Sequence, residues 1–272
     1  MVADACMMAS QAGVDFSMYD SDNDGKVDNV FVFFAGEDEA EGADENSIWS
    51  HSWYLFSGAG ISLELNGKMI DRYACSSEMP RIHDTSTGKL LETRLSGIGT
   101  FCHEFSHALG LPDFYYTGTD TRLAEELLTM DFWSIMDYGQ YAYDGYAPVA
   151  YTAYERSFLG WLEITELTED MKGEVKLHGI DSETDTPKAY MIKNPANEAE
   201  YYLLENRQKT TWHPPFLGTG MLVLHVNYTA SAWKNNGPNN SENRPGMSYV
   251  PADNLKQSSR TMTGWNDYKG PP

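Results

Sequence analysis

Residues 103–113, His-Glu-Phe-Ser-His-Ala-Leu-Gly-Leu-Pro-Asp, have residue types and spacing that could bind a metal ion and use it in catalysis. On a helix, positions i and i+4 lie one turn apart on the same face, so His103 and His107 can bring two imidazoles to one zinc ion. Glu104 can reach a metal-bound water without being a ligand, as a general base must. The segment therefore predicts a hydrolytic zinc centre.

The third protein ligand of this zinc has two candidates. Gly110 can adopt the left-handed conformation that ends a helix, and Pro112 cannot continue one, so we expect Asp113 to turn back toward the metal. Three protein ligands would leave a fourth, open position, which distinguishes a catalytic zinc site from a structural one. Glu155, on a helix predicted over 148–159, is the alternative, because some zinc proteases take this ligand from a glutamate on a later helix. The spacing favours Asp113.

The helix that positions the histidines is predicted over residues 95–109. Its apolar residues fall on one face, which predicts that the zinc site lies on a buried, rigid element. The residues of this face are Leu95, Ile98, Phe101, Cys102, Phe105, Ala108 and Leu109.

The remaining pattern predicts an α+β protein in two domains. The first, residues 1–165, would contain a helix at 3–13, a buried strand at 30–34, and strands at 61–65 and 69–75 joined by an Asn66-Gly67 hairpin turn. The second, residues 166–272, would be β-rich and end in a loop-rich tail from 234. Its strands are predicted at 174–178, 188–193, 200–207 and 220–227.

An acidic segment before the first strand predicts a calcium site. The ligands would be the carboxylates of Asp20, Asp22, Asp24 and Asp28 and the carbonyl of Lys26, in the order of the first half of a calcium-binding loop, with Gly25 at the turn. The residue at the last position of that pattern is Phe31, so this is not an EF-hand. An ordinary solvated turn is the alternative, although four close aspartates repel one another unless a cation neutralises them.

The composition excludes several classes of function. The 272 residues are 41% hydrophobic and 13% aromatic, as expected for a globular protein. A net charge of −21 argues against nucleic acid and anionic membranes as partners, since both bind clustered Lys and Arg. No apolar run reaches the roughly eighteen residues that a membrane span needs. The first residues lack the basic region of a signal peptide, so we expect a fragment of a longer secreted precursor.

The three cysteines, Cys6, Cys75 and Cys102, permit at most one disulfide. A bridge between Cys75 and Cys102 is one possibility, since both fall in segments expected near the zinc helix. Three buried free thiols are the other.

Several segments together resemble the immune inhibitor A family of secreted bacterial metallopeptidases. The likeness extends over residues 14–165 and, less closely, 200–228. The segments are Asp20–Asp28, 30–36, Ile48–His51, 103–115, Trp133–Met136, 155–161, Tyr201–Gln208 and Gly218–His225. The zinc motif also resembles that of snapalysin, whose third ligand is the aspartate of the motif.

The resemblance implies further roles. Met136, in Ser134-Ile-Met-Asp-Tyr138, is similar to the methionine below the zinc in metzincin proteases, which implies a metzincin-like fold with a mixed sheet. Tyr138 lies where related proteases carry a tyrosine that stabilises the oxyanion, and Tyr115 is the alternative candidate for that role. The family implies zinc, structural calcium, export and removal of a propeptide, and no propeptide is recognisable in this chain.

The sequence thus predicts a secreted, monomeric zinc endopeptidase that cleaves extracellular proteins or peptides, with Glu104 as general base. The alternative is a calcium-stabilised module that binds peptide or glycan and carries a vestigial zinc site. An intact Glu104 argues against it, because a site without catalysis has no use for the base.

Overall fold

The chain divides into two units, residues 1–110 and 111–272, in the computed structural model. The structure describes residues 1–91, 93–183, 185–210, 212–213 and 217–252. In these residues it is a mixed α and β protein with three sheets. The division after Gly110 differs from the boundary expected near residue 165. The two-domain assignment and the metzincin-like classification therefore stay predictions.

The first unit contains a mixed three-stranded sheet in the order β1-β5-β2. β1 pairs with β5 in parallel, and β2 pairs with β5 in antiparallel orientation. The strands of the unit are β1 (Val30–Glu37), β2 (His51–Tyr54), β3 (Glu64–Leu65), β4 (Lys68–Met69) and β5 (Arg72–Met79).

The predicted Asn66-Gly67 hairpin is confirmed. β3 and β4 pair antiparallel, with Leu65 opposite Lys68, so only Asn66 and Gly67 lie in the turn. Their φ angles are +52° and +75°, the left-handed values that a two-residue hairpin turn of this type requires and that asparagine and glycine tolerate best.

The core of the first unit lies between the three-stranded sheet and the N-terminal helix α1 (Val2–Gln11), which buries Val2 and Cys6. Phe34, Ile70 and Cys75 contribute to the same core. The strand predicted at 30–34 is formed, but the prediction that it is buried was wrong for most of its residues. Phe33 is 61% exposed, and Phe34 is the only one of these five residues that is buried.

The second unit is organised around a five-stranded sheet in the order β10-β9-β8-β7-β6. Every pairing is antiparallel except that of β6 with β7. The strands are β6 (Thr165–Glu166), β7 (Ala189–Asn194), β8 (Asn197–Arg207), β9 (Gly220–Asn227) and β10 (Met247–Tyr249). The strands predicted at 188–193, 200–207 and 220–227 are therefore confirmed.

The strand predicted at 174–178 is not formed. The segment makes isolated contacts: the Tyr190 hydroxyl donates to the Lys176 carbonyl over 3.0 Å, and His178 N donates to the Pro187 carbonyl over 3.0 Å. Residues 174–176 are exposed, so this part of the alternating pattern has no sheet face to cover.

One further helix of the first unit, α2 (Gly99–Ala108), and three helices of the second unit complete the assignment used below: α3 (Thr121–Glu126), α4 (Ala153–Phe158) and α5 (Ala230–Lys234). α4 begins with a capping box made by Thr152 and Glu155. The expected loop-rich tail is loop over much of 235–252 but also contains β10, and residues 253–272 lie outside the described residues. In the described part of the chain, no helix has the length and hydrophobicity that a membrane crossing needs.

Candidate metal centre

His103, Glu104 and His107 lie together on α2 in the first unit. Each offers one ligand atom, and these atoms all lie within 4.8 Å of one another. The two imidazole rings are nearly perpendicular, with centroids 4.8 Å apart. His103 and Glu104 are only 3% and 7% exposed. Two imidazoles one helical turn apart are donors that suit zinc, so His103 and His107 fit the metal that the sequence predicts.

The end of α2 is fixed by two interactions with its last turn. Gly110, at φ +102°, donates its N–H to the His107 carbonyl over 2.9 Å. The Arg72 guanidinium of β5 donates to the same carbonyl. A cation at a helix C-terminus also interacts favourably with the helix dipole. The backbone that carries His107 is therefore held on both sides, and Arg72 is a contributor that sequence reasoning missed.

The expected apolar face of α2 is not the buried one. Leu95 is 67% exposed and lies outside the helix, and Phe105 and Leu109 are also exposed. The helix packs on β5 and buries the side that carries His103 and Glu104. The Phe101 and Phe105 rings instead stack on one another, and the Phe101 ring also makes an edge contact with the Phe31 ring of β1. The buried element is confirmed, but the face assigned to it was wrong.

All three cysteines are free thiols. Cys6 and Cys75 are buried in the first unit, and Cys102 on α2 is partly buried. Burial raises the pKa of the Cys75 thiol to about 11, with the hydrogen bond to His51 opposing that rise. The possible Cys75–Cys102 bridge is therefore not formed.

Asp113 belongs to the second unit and is 4% exposed. Its carboxylate Oδ2 accepts a hydrogen bond of 2.6 Å from the Asn236 amide, and its backbone N–H donates to Asn236 Oδ1 over 2.7 Å. A buried carboxylate with a fixed rotamer is suited to metal binding. Asn236 lies 123 residues away along the chain, and no local pattern indicated it.

Glu155, the alternative ligand, is fully buried at the start of α4 in the second unit. Its Oε1 accepts from the Ser134 hydroxyl over 2.5 Å, and its Oε2 accepts from Thr152 N over 2.5 Å. Burial raises its pKa, against the opposing effect of those hydrogen bonds. Both carboxylate oxygens thus hold a helix start and a nearby turn, which is a structural task.

Met136 lies in a tight turn of the second unit and is fully buried. Met136 N donates to the Ser134 hydroxyl over 3.0 Å, and Gly139 N donates to the Ser134 carbonyl over 2.9 Å. Tyr138, in the same turn, is 46% exposed, whereas Tyr115 is partly buried. Of the two tyrosines, Tyr138 is therefore the one whose side chain is more accessible from solvent.

The predicted calcium loop adopts a compact fold. Asp20, Asp22 and Asp28 form a group that could hold a metal ion. Asp24 N donates to Asp20 and Asp22, and Lys26 N donates to Asp24 Oδ1. Lys68 Nζ lies 2.5 Å from Asp20 Oδ2 and, as its main cause, lowers the pKa of that carboxyl. An ammonium therefore already neutralises part of this charge, which the sequence did not predict.

Comparison with known proteins agrees with a metal centre on α2. The model of the immune inhibitor A peptidase M6 catalytic domain matches residues 15–162. The chain is 25% identical over 188 residues to pre-pro-metalloprotease PrtV of Vibrio cholerae serotype O1, covering 62% of this chain and 18% of that protein. It is 24% identical over 198 residues to immune inhibitor A of Bacillus thuringiensis subsp. alesti, covering 61% and 26%.

The chain therefore spans about a quarter or less of the length of these curated relatives. No solved structure gives a significant match. The family match includes the segment with His103, Glu104 and His107, and it extends over more than half of the chain. On this evidence, the chain belongs to the immune inhibitor A family of M6 metallopeptidases.

Proposed function

We propose that this chain is the catalytic part of a secreted zinc endopeptidase that hydrolyses peptide bonds of extracellular proteins. The observation that carries the proposal is the convergence of His103, Glu104 and His107 within 4.8 Å on one helix, in a chain of a metallopeptidase family. Export and propeptide removal are part of the proposal. They are supported by the name of the Vibrio relative, a pre-pro-metalloprotease.

His103, His107 and Asp113 would hold the zinc ion. Bound zinc would polarise the scissile carbonyl and lower the pKa of a water ligand. Asp113 follows His107 by six residues, after the left-handed Gly110. Its preference over Glu155 is supported by the hydrogen bonds that engage both Glu155 oxygens.

Glu104 would act as general base. It accepts a proton from the attacking water and passes that proton to the amide nitrogen as the C–N bond breaks, which yields a free carboxyl and a free amine. Its burial shields the proton from bulk solvent between the two transfers. The exposed Tyr138 would donate a hydrogen bond to the carbonyl oxygen as negative charge develops there.

A calcium ion at Asp20, Asp22, Asp24, Lys26 and Asp28 is a second part of the proposal. It is supported by the grouping of three of these carboxylates and by the turns that the loop makes. Calcium at this position would take over the charge neutralisation that Lys68 provides to Asp20.

The alternative, a calcium-stabilised peptide- or glycan-binding module with a vestigial zinc site, is not favoured. The family is one of peptidases, and Glu104 is present and buried beside both histidines. A monomer acting on protein or peptide substrate, without nucleic acid, agrees with the acidic net charge of −21.

The decisive experiment compares zinc content and peptide cleavage in the parent and single variants. Glu104→Ala should keep zinc and lose activity by roughly 10²- to 10⁴-fold or more, because the proton carrier is gone and the ligands remain. His107→Ala should lose both zinc and activity. Glu169→Ala, at an exposed glutamate, is the control. A Glu104→Ala variant that cleaves peptides as fast as the parent would overturn the proposal.

A further inference from the structure

Three asparagines of one loop bind residues 113–117, the last residue of the zinc motif and the four that follow it. The asparagine loop, residues 235–240, lies between α5 and β10 in the second unit. Asn236 makes the reciprocal pair with Asp113 described above. Asn239 Nδ2 donates to the Phe114 carbonyl over 2.6 Å. Asn240 Oδ1 accepts from Thr117 N over 3.0 Å, and its amide donates to the Thr117 hydroxyl over 2.9 Å.

The pairing is in register along both segments. Asn236 and Asn240 are four residues apart, and so are their partners Asp113 and Thr117. The Thr117 hydroxyl also donates to the Asn236 carbonyl over 2.8 Å. The loop thus holds the backbone of 113–117 at several points, but only Asn236 bonds to a carboxylate.

Asparagine suits position 236 for two reasons. Its φ of +54° lies in the left-handed region, which asparagine tolerates better than most residues. Its amide carries both a donor and an acceptor, so one side chain can bond the Asp113 carboxylate and the Asp113 N–H together. At Gly237 a Cβ would lie 2.6 Å from the Asn240 amide nitrogen, so a larger residue there would displace the Asn240 side chain.

We propose that Asn236 is the positioning residue for the third zinc ligand, Asp113. This inference rests on the proposed function, in which Asp113 binds zinc. Two bonds to one asparagine fix both the backbone and the rotation of the carboxylate. Metal ligands are commonly oriented by such outer partners, whose loss lowers metal affinity by about 10- to 100-fold.

The test measures zinc dissociation constants by competition with a chromogenic chelator, together with melting temperatures of the metal-free proteins. Asn236→Gly keeps a residue that accepts positive φ and removes the side chain. We expect it to weaken zinc binding by about 10- to 100-fold. Asn240→Ala is the matched control, because it removes an equivalent pair from the same loop without touching Asp113, and it should leave zinc affinity unchanged.

A folded Asn236→Gly protein with the zinc affinity of the parent would overturn the inference. Equal losses of zinc affinity in Asn236→Gly and Asn240→Ala would also overturn it, since the loop would then act only through stability. If Asn236→Gly does not fold, Asn236→Asp keeps the acceptor for Asp113 N and replaces the donor by a repelling oxygen. It should weaken zinc binding, and parent affinity in that variant would likewise reject the inference.

Asp113→Asn separates this inference from the proposed ligand set. Weak zinc binding in Asp113→Asn with parent affinity in Asn236→Gly would reject the positioning role and keep Asp113 as ligand. Parent affinity in Asp113→Asn itself would reject Asp113 as a ligand, and with it the role of Asn236.

Discussion

The Ser134 hydroxyl donates a 2.5 Å hydrogen bond to Glu155 Oε1 and joins the turn that contains Met136 to the first turn of α4. The same hydroxyl accepts from Met136 N, so one serine connects the buried methionine to a fully buried carboxylate. Glu155 therefore supports the geometry of this turn, which accounts for its burial without assigning it to a metal.

Removing this link should destabilise the second unit. Ser134→Ala leaves the buried Glu155 carboxyl with one hydrogen bond fewer, and removing the partner of a buried polar group costs about 1–3 kcal/mol. We expect a loss of that size in the free energy of unfolding, measured by urea denaturation of the metal-free protein. Ser157→Ala, at a half-buried serine of α4, is the control. Equal stabilities of the Ser134 and Ser157 variants would contradict the link.

Zinc affinity should separate the two candidate third ligands. Asp113→Ala removes a carboxylate that we assign to the metal, so zinc binding should weaken strongly. Glu155→Gln keeps the size and most hydrogen bonds of the buried side chain, so zinc binding should stay near that of the parent. Metal titration with both variants decides the matter, and the reverse pattern would assign the third ligand to Glu155.

Calcium should raise the melting temperature of the metal-stripped protein. A cation that binds only the folded state stabilises it by about 2.7 kcal/mol at a hundredfold excess over Kd. Asp22→Ala combined with Asp24→Ala should abolish the response. Lys68→Met should strengthen it, because the ammonium on Asp20 no longer competes with the cation.

Asp44→Ala controls for the loss of an exposed negative charge outside the loop. A melting temperature that does not change in millimolar calcium, for the parent and for Lys68→Met alike, would return Asp20–Asp28 to an ordinary turn held by Lys68.

The Cys75 thiol should resist alkylation in the folded protein. With a pKa of about 11, only about one thiol in a thousand is ionised at pH 8. The unfolded thiol ionises near pH 8.5, so Cys75 contributes stability that is complete below that pH and is lost as the pH rises toward about 11.

Iodoacetamide labelling followed by mass spectrometry checks both the pKa and the absence of a disulfide. Without reductant, the native protein should leave Cys75 unlabelled at pH 8, and the urea-unfolded protein should label all three cysteines. A single label after unfolding would reveal a disulfide and contradict the free-thiol state.

The parts of the site that local spacing determines could be predicted from the sequence. His103 and His107 follow the helical repeat. The Asn66-Gly67 turn could be predicted because asparagine and glycine tolerate the positive φ values that such a turn requires. The face of α2 could not be predicted, because the helix covers β5 with His103 and Glu104 and leaves apolar residues exposed. Hydrophobic periodicity assumes that apolar residues are the buried ones, and on α2 polar residues take that place.

Contacts between distant segments explain the other omissions. Lys68 contacts Asp20 across 48 positions of the chain, and Asn236 contacts Asp113 across 123. A local sequence pattern cannot indicate contacts at such separations. The absent strand at 174–178 has the same origin, since an alternating pattern forms a strand only where a neighbouring strand accepts its hydrogen bonds.

The sequence Asn236-Gly237 makes the asparagine loop a site of slow chemical degradation. Glycine leaves the preceding asparagine open to deamidation, in which the next backbone nitrogen attacks the side-chain amide, ammonia leaves, and water opens the ring to an aspartate or isoaspartate. The folded loop opposes this reaction, because Gly237 N already donates to the Ala232 carbonyl over 2.9 Å. Where the loop opens, ageing would turn the donor that faces Asp113 into a repelling carboxylate. Peptide mapping of stored protein should then find deamidation at Asn236 rising together with zinc loss, and full zinc binding in protein deamidated there would contradict this.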